Sequence, residues 1–414
     1  MKTPSRPCHL RDIAQTQLSE QILPVWKQHA RRADQGVMGT LTADAQSQTD
    51  QPKGSIMNSR ALWSFSLLHR LEPQTELQMS ALRLYHGFCD EFFDDATGLV
   101  HWQLPVESSD TFALLAQTYA IYALSQFAVA CNHPEALQRA EQLTEVLFQS
   151  FAREDGTFAG IYQKGVDPSR QQPDHIETCG QLHVLEALTQ LYLARPSSRL
   201  KRELTALVDL FLIHIFPEQG DLPLLFNRQW RPQPFETSIG HNFEAPVLVA
   251  LACRALKDDQ RRLLTEQKLL QLTDHSLQTA QLPSGYFLYG QDEQDQWREL
   301  LTWWTQVEAA NGLQWAYEIT GKDSYLTELS RLWQGFPNHW ADREYGDWHP
   351  QLDRSLQPAG DTNKGDIWRS LYHSTRACVA MKYGFSALDG PNNTKPNTPE
   401  THPDDAPAHP VTPY

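Results

Sequence analysis

Two kinds of helical pattern alternate along the chain. In the first, apolar residues recur every three to four positions and leave a charged face: LRDIAQTQLSEQILPVWKQHARR near the start, then TELQMSALRLYHGFCDEFF, PEALQRAEQLTEVLFQSFA, SSRLKRELTALVDLFLIHIF, KDDQRRLLTEQKLLQLTDHSL and DSYLTELSRLWQGF. That period predicts amphipathic helices with one solvated side. In the second, apolar residues cover nearly the whole surface: SRALWSFSLL, TFALLAQTYAIYALSQFAVA, QLHVLEALTQLYLA, NFEAPVLVALACRAL, TWWTQVEAANGLQWAYEI and STRACVAMKYGF. A helix apolar on every side must be buried on every side. Strand-like runs are few and short, and no βαβ rhythm is present.

The apolar segments begin near residues 59, 111, 181, 242, 302 and 374, a period of roughly 50 to 70 residues. This is too long for tetratricopeptide or HEAT repeats and suits one outer plus one inner helix with a loop. Six such pairs predict an all-α fold, an (α/α)6 barrel of six inner and six outer helices. An open solenoid would need polar capping helices, which the pattern lacks. In a closed ring the inner helices run the same way, so their N-terminal ends gather at one mouth. The expected organisation is one catalytic domain over residues 1–385 and a tail, residues 386–414, whose Pro, Asn and Asp content predicts disorder.

Composition narrows the partners more than the fold. The chain has 414 residues, 40% of them hydrophobic and 21% charged, with a net charge of −15. That balance argues against a nucleic-acid backbone or an anionic membrane surface as partner. The six cysteines, Cys8, Cys89, Cys131, Cys179, Cys253 and Cys378, form no CxxC pair and suggest neither a zinc nor a disulfide framework. With no apolar signal segment at the N-terminus and no run approaching a membrane span, a cytoplasmic location is expected. Oligomeric state is not legible.

The mouth of the ring collects chemistry. The inner N-termini carry Arg60 and Trp63, His183 and Glu186, His241 and Glu244, Trp303, Trp304 and Glu308, then Trp368, His373 and Arg376. Core filling does not require positive, negative and aromatic groups on one ring of ends. Three chemistries use parts of this set. The His-x-x-Glu pairs at 183/186 and 241/244 place both residues on one helix face and could contribute to a metal cage, although the bundle metal motif runs in the reverse order. Glycoside hydrolysis needs two carboxylates across a sugar, for which Glu244, Glu308 and Asp347 are available. Proton transfer at carbon needs imidazole bases near neutrality, with no metal or cofactor. In that account His241 precedes a helix with Pro246 in its first turn, and Glu244 counters the helix field or orients the ring. Only the last account uses every residue.

The stretches ILPVWKQH, PKGSIMNSRALWSFS, QTYAIYALSQF, LHVLEALTQLY, SIGHNFEAPVLVALA, WWTQVEAANGLQWAYEITG, REYGDW and GDIWRSLYHSTRAC together resemble the N-acylglucosamine 2-epimerase superfamily, most closely its cellobiose 2-epimerase branch. The resemblance covers about residues 20 to 385, in family order. It implies a cofactor-free isomerase acting on a free reducing sugar through a cis-enediolate. Carried over, His241 and His373 flank C2 as bases, His183 assists ring opening, Arg60 stabilises the enediolate oxygens and Glu244 orients His241. Trp304 and Trp368 wall the sugar, with Trp303, Glu308 and Trp63 as further substrate-binding residues. Glu186 receives no role.

Three departures touch the pocket. Cys179, Gly180 and Gln181 stand where the branch carries Asn-Thr-His, Leu115 where it carries Tyr, and Pro246 where it carries a small or polar residue. The altered pocket points to a monosaccharide, with mannose-to-fructose isomerisation first and 2-epimerisation of cellobiose or mannose close behind. A non-catalytic sugar-binding or scaffold ring is the alternative of another class, and a scaffold needs none of these histidines.

Overall fold

The computed structural model describes residues 4–166 and 175–390. The described chain is mostly helical, with only short antiparallel strand pairs between the helices. The first amphipathic segment is one rod: α1 (Cys8–Thr16) passes through a π turn at Gln17–Ile22 into α2 (Leu23–Arg31). Then come α3 (Ser55–Leu71) and α4 (Thr75–Glu91), α5 (Leu114–Ala130) and α6 (Pro134–Phe151), and α7 (Thr178–Ala194) and α8 (Ser198–Leu210). The chain continues through α9 (Ile239–Leu256), α10 (Asp259–Thr279), α11 (Trp303–Thr320), α12 (Asp323–Gly335) and α13 (Tyr372–Tyr383).

The two patterns become two layers. The apolar helices pack in succession, α3 on α5, α5 on α7, α7 on α9, α9 on α11 and α11 on α13, and α13 packs back on α3. The amphipathic helices lie against them, α4 on α3, α6 on α5, α8 on α7, α10 on α9 and α12 on α11, while α1 covers α13. Inner α5 shows why the sequence folds this way. It carries no charged side chain, and nearly every residue from Leu114 to Ala128 is buried. Outer α10 buries one stripe, including Leu269, Leu272 and Ser276.

Outer helices are capped by side chains at their N-termini in several cases: His133 accepts from the Ala136 N–H, Ser197 from Leu200 and Asp258 from Arg261. None of the six inner helices has such a cap. Instead, five of them carry an amide at the fourth position, Asn58, Gln117, Gln181, Asn242 and Gln306. Each amide reaches the backbone of a preceding loop. Gln181 accepts from Phe158 N–H at 2.9 Å and donates to Phe158 C=O at 3.0 Å, and Gln306 does the same with Phe287 at 2.8 Å each. The strand pairs, such as Thr111–Ala113 with Ile161–Gln163 and His175–Glu177 with Leu225–Asn227, zip adjacent loops together at the same end.

Two expectations are corrected. α9 begins at Ile239, so Pro246 is its eighth residue and lies inside the helix rather than in its first turn. The missing N–H leaves the Asn242 carbonyl without its i+4 donor, yet packing of α7, α10 and α11 around α9 keeps the rod continuous. Residues 386–390, assigned to a disordered tail, are packed. Phe385–Leu388 form a 3-10 turn, Arg70 donates to the Ala387 and Gly390 carbonyls at 2.5 and 3.0 Å, and Arg254 pairs with Asp389. The remainder of that tail, 391–414, lies outside the described residues. No helix among those described is long and apolar enough to cross a membrane.

Candidate active site

Equal register puts unlike residues at one level. The sixth residue of α3 is Arg60, of α5 Tyr119, of α7 His183, of α9 Glu244 and of α11 Glu308. The sixth inner helix starts later relative to its loop, so its first turn, with Tyr372, His373 and Arg376, completes the layer. At the mouth above it, the first backbone N–H groups of five inner helices are taken by loop carbonyls, Ser55 by Trp102, Leu114 by Gly160, Thr178 by Leu224, Ile239 by Tyr289 and Trp303 by Pro350.

The layer rests on a buried ionic floor. Arg376 donates from Nη2 to Glu244 at 2.6 Å and to Glu308 at 2.7 Å, and from Nη1 to Glu186 at 3.0 Å and the Tyr372 hydroxyl at 2.6 Å. One guanidinium thus serves three carboxylates. Above it, His373 Nδ1 lies 2.7 Å from Glu308 Oε1 and 3.9 Å from Glu244 Oε1. His183 Nδ1 lies 3.0 Å from Glu186 Oε2, and its Nε2 is 3.1 Å from the Tyr119 hydroxyl. Arg60 donates to that hydroxyl and to the Trp368 carbonyl at 3.0 Å, with its guanidinium 4.3 Å from the Tyr119 ring centre. His241 Nδ1 is 2.8 Å from the Ser238 hydroxyl.

These surroundings separate the histidines electrostatically. Burial drives His373 well below the ordinary imidazole value, and Arg60 and Arg376 reinforce the shift against the opposing pull of Glu244. For His183 and His241 burial acts in the same direction but loses, because the Cys179 side chain interacts with both, joined by Glu186 at His183 and by Glu244 at His241. Both move up. Cys179, the second residue of α7 and partly exposed, moves down against its own burial because of the two imidazoles; its position at a helix N-terminus acts in the same sense. His373, with lowered proton affinity, and His241, with raised proton affinity, both pack against Trp304, with ring centres 5.7 and 5.2 Å from it. One can accept a proton and the other can donate one.

The aromatic wall lies toward solvent. Trp368 is 40% exposed and meets Trp102 edge-on at 4.8 Å. Trp303 carries the Arg369 guanidinium 4.5 Å from its ring centre. Beside Trp303 and Trp304 opens a groove of about 550 Å³, also lined by Tyr289, Arg298, Asp366 and Arg369, within the size range of small-molecule sites.

The structure brings Arg60, His183, His241, Glu244, Glu308 and His373 together but corrects several roles. Glu308 has no exposure, and its carboxylate is engaged by His373, Arg376 and Asn311. Trp63, 1% exposed, is stacked on Tyr122. Glu244 bonds to Arg376; the hydrogen bond that orients His241 comes from Ser238. Glu186, given no role from sequence, holds His183. Tyr119 and Tyr372 carry no signal of their own, since a Tyr in an apolar helix reads as core, and Cys179 stands out in sequence only as a departure from the family pattern. The signal that finds Tyr119 is its register, six residues into its helix like Arg60 and His183.

The residues named for the alternative chemistries already have protein partners. Among the described residues the group close enough to share an ion is Glu244, Glu308 and His373, with one ligand atom each within 4.8 Å of the others. Arg376 already occupies the cation position between the two carboxylates. Asp347, a candidate for glycoside hydrolysis, is buried, accepts from Trp26 Nε1 at 3.0 Å and lies 3.6 Å from Arg369.

Comparison with known proteins shows the family of the chain. The family model of N-acylglucosamine 2-epimerase (GlcNAc 2-epimerase) matches residues 36–377. The chain is 28% identical over 400 residues to a cellobiose 2-epimerase of Bacteroides fragilis, covering 90% of this chain and 98% of that one. The solved cellobiose 2-epimerase from Bacillus thermoamylovorans aligns with a TM-score of 0.81 at 26% identity, over 90% of this chain and 98% of its own. A solved D-mannose isomerase aligns with a TM-score of 0.78 at 16% identity, over 92% and 99%, a likeness of fold.

Proposed function

We propose, for a chain that belongs to the N-acylglucosamine 2-epimerase family and is an isomerase-class enzyme acting on sugars, that the reaction is 2-epimerisation of a reducing disaccharide of the cellobiose type. In this reading the two helical layers are an (α/α)6 barrel, and the open-chain sugar lies with C1 and C2 at the sixth-residue layer. His373, neutral, takes the proton from C2. The electron pair moves into a cis-enediolate whose oxygens face Arg60. His241, protonated, returns a proton to the opposite face of C2. His183, steadied by Glu186, assists opening of the pyranose ring at O1/O5. Fixed donors aimed at developing oxyanion charge are worth about 3 to 4 kcal/mol each in acyl-transfer enzymes, the scale expected of Arg60.

The observation that carries this reading is the pair of histidines packed against Trp304, with surroundings that push their proton affinities in opposite directions. Isomerisation to a ketose requires only one base with relay between O1 and O2. The pair permits that route too, but inversion at C2 is the one that uses both, a base on one face and an acid on the other. The mouth groove gives the second sugar ring an aromatic and charged surface. Full-length relatives that are cellobiose 2-epimerases also favour the disaccharide over the mannose-to-fructose reaction preferred from sequence. The monosaccharide reading is kept alive by Cys179 and Leu115, which replace polar residues of that branch.

Incubation with cellobiose, mannose and glucose in D₂O, followed by NMR, separates the possibilities. Glucosyl-mannose carrying deuterium at C2 is the expected product from cellobiose. Fructose from mannose with cellobiose untouched would establish the isomerase instead, and unchanged sugars throughout would leave only the binding-protein alternative.

A further inference from the structure

Gly240, the residue before His241, is the second residue of α9 and is buried. Its backbone is right-handed helix and its φ lies outside the left-handed region, so conformation does not call for glycine. Alanine suits a helix backbone better. Space is what calls for it. A Cβ at this position would meet Cζ3, Cη2 and Cε3 of Trp304, all closer than 3.0 Å. The six-membered ring of the indole is thus seated on the bare backbone of α9.

The seat belongs to a reciprocal pair. Trp304 is the second residue of α11, as Gly240 is of α9, and the two helices pack side by side. Further along the same interface the parts are exchanged, because a Cβ at Gly312 of α11 would meet Cδ1 of Phe243 of α9 at 2.6 Å. Each helix therefore receives an aromatic ring of the other where it has no side chain. Close-packed interiors have no slack for an added methyl group. The Phe243 contact holds the helices at their spacing, so a methyl at position 240 displaces the indole ring and not the helix.

That ring touches the reacting layer. Its centre lies 5.2 Å from His241, 5.7 Å from His373 and 6.0 Å from Tyr289. It is half-buried and lines the mouth groove, the open space into which it can move. Neither histidine relies on Trp304 for its hydrogen bond, since His241 Nδ1 meets Ser238 and His373 Nδ1 meets Glu308. A methyl at position 240 would leave both imidazoles held and shift the wall they share.

We propose that Gly240 is a positioning residue for Trp304: its missing side chain sets the depth of the indole ring and, through it, where the sugar lies against His241 and His373. The kinetic consequence rests on the sugar-epimerase reading, whereas the seat itself does not.

Gly240→Ala tests both parts. In crystals of the sugar-free full chain the Trp304 ring should move by about 1 Å toward the groove, the distance that restores van der Waals contact, and the His241 ring protons should shift in NMR. An unmoved ring overturns the proposal. With whichever sugar the wild type converts, kcat/KM should fall at least about 10-fold, mainly through KM, while both limbs of the pH profile stay in place. Unchanged kinetics would deny the seat any part in catalysis. A double-mutant cycle assigns the effect: in a Trp304→Phe background, whose smaller ring leaves room for the methyl, Gly240→Ala should cost less than about 2-fold. An equal loss in that background overturns the proposal. Should Gly240→Ala alone fail to fold, recovery of the fold by Trp304→Phe supports the seat, and a double variant that stays unfolded refutes it. A wild type that converts no sugar would sink the proposed function, yet the position of the ring in crystals would still decide the seat.

Discussion

His373 and His241 are the same side chain under opposite instructions. Burial plus Arg60 and Arg376 hold His373 neutral, while Cys179 and Glu244 favour the charged form of His241. The pH profile of kcat/KM follows from the signs. His373 works as a base only when unprotonated, and its affinity is lowered, so the acid limb should fall below pH about 6.5, the free imidazole value. His241 works as an acid only when protonated, and its affinity is raised, so the alkaline limb should lie above that value. An acid limb above pH about 6.5 would remove His373 from the base role. Glu308 gives a second prediction, because full burial confines its carboxylate to His373 Nδ1, Arg376 and Asn311. Glu308→Ala should reduce kcat by about 10²-fold, the scale of a misaligned reacting group, with KM nearly constant. A rise in KM at constant kcat would return it to substrate binding. Charge and rarity make the histidines and Arg60 legible in sequence. Tyr119 and Tyr372 are not, since their roles come from what lies opposite them across the ring. Glu186 had the right spacing to His183, but nothing in sequence separates it from Glu244, whose carboxylate turns to Arg376 instead.

At the scale of the element, the repeated amide explains how helices without caps begin at fixed places. The fourth-position amide replaces a cap by tying the helix start to the loop of the preceding outer helix. Gln306 accepts from Phe287 N–H and donates to the carbonyls of Phe287 at 2.8 Å and Thr302 at 3.2 Å, all buried. Gln306→Leu keeps the bulk but strands buried backbone groups, each worth about 1–3 kcal/mol when left unpaired. A loss of roughly 2–4 kcal/mol in chemical denaturation is expected, and a change under about 0.5 kcal/mol, the usual range of surface substitutions, would show that the amide does not hold the helix start. Periodicity was sufficient to find all the inner helices within a few residues of their starts, because total burial leaves a composition that nothing else produces. It failed at Pro246, since a local rule about proline is overridden where neighbouring helices surround the rod.

At the scale of the molecule, the ring is closed by both ends of the chain. α13, with twelve residues, is shorter than the other inner helices, and its outer cover is α1 from the opposite end of the sequence. Arg6 donates to the Ala380 and Met381 carbonyls at 2.8 and 3.1 Å, satisfying the end of α13 where helix carbonyls otherwise lack partners. Leu10, Ala14, Leu18 and Ile22 are buried along the same rod. It also grips the loop before α13, through Trp348 Nε1 to Gln17 at 2.8 Å and Asp347 N–H to the Gln21 carbonyl at 2.7 Å. Pattern alone shows an amphipathic segment first and an apolar one last; that the two belong together follows only from closure. His373 and Arg376 sit in the first turn of α13, so the catalytic layer depends on this join. Removal of residues 1–22 should therefore cost turnover at least about 10²-fold through misplacement of His373, together with loss of a single cooperative unfolding transition. A peptide of residues 1–22 supplied in trans should restore part of both, because the rod packs through side chains and carbonyls that a separate chain can reach. Full activity and an unchanged transition in the shortened chain would show that α3 and α11 hold α13 without it.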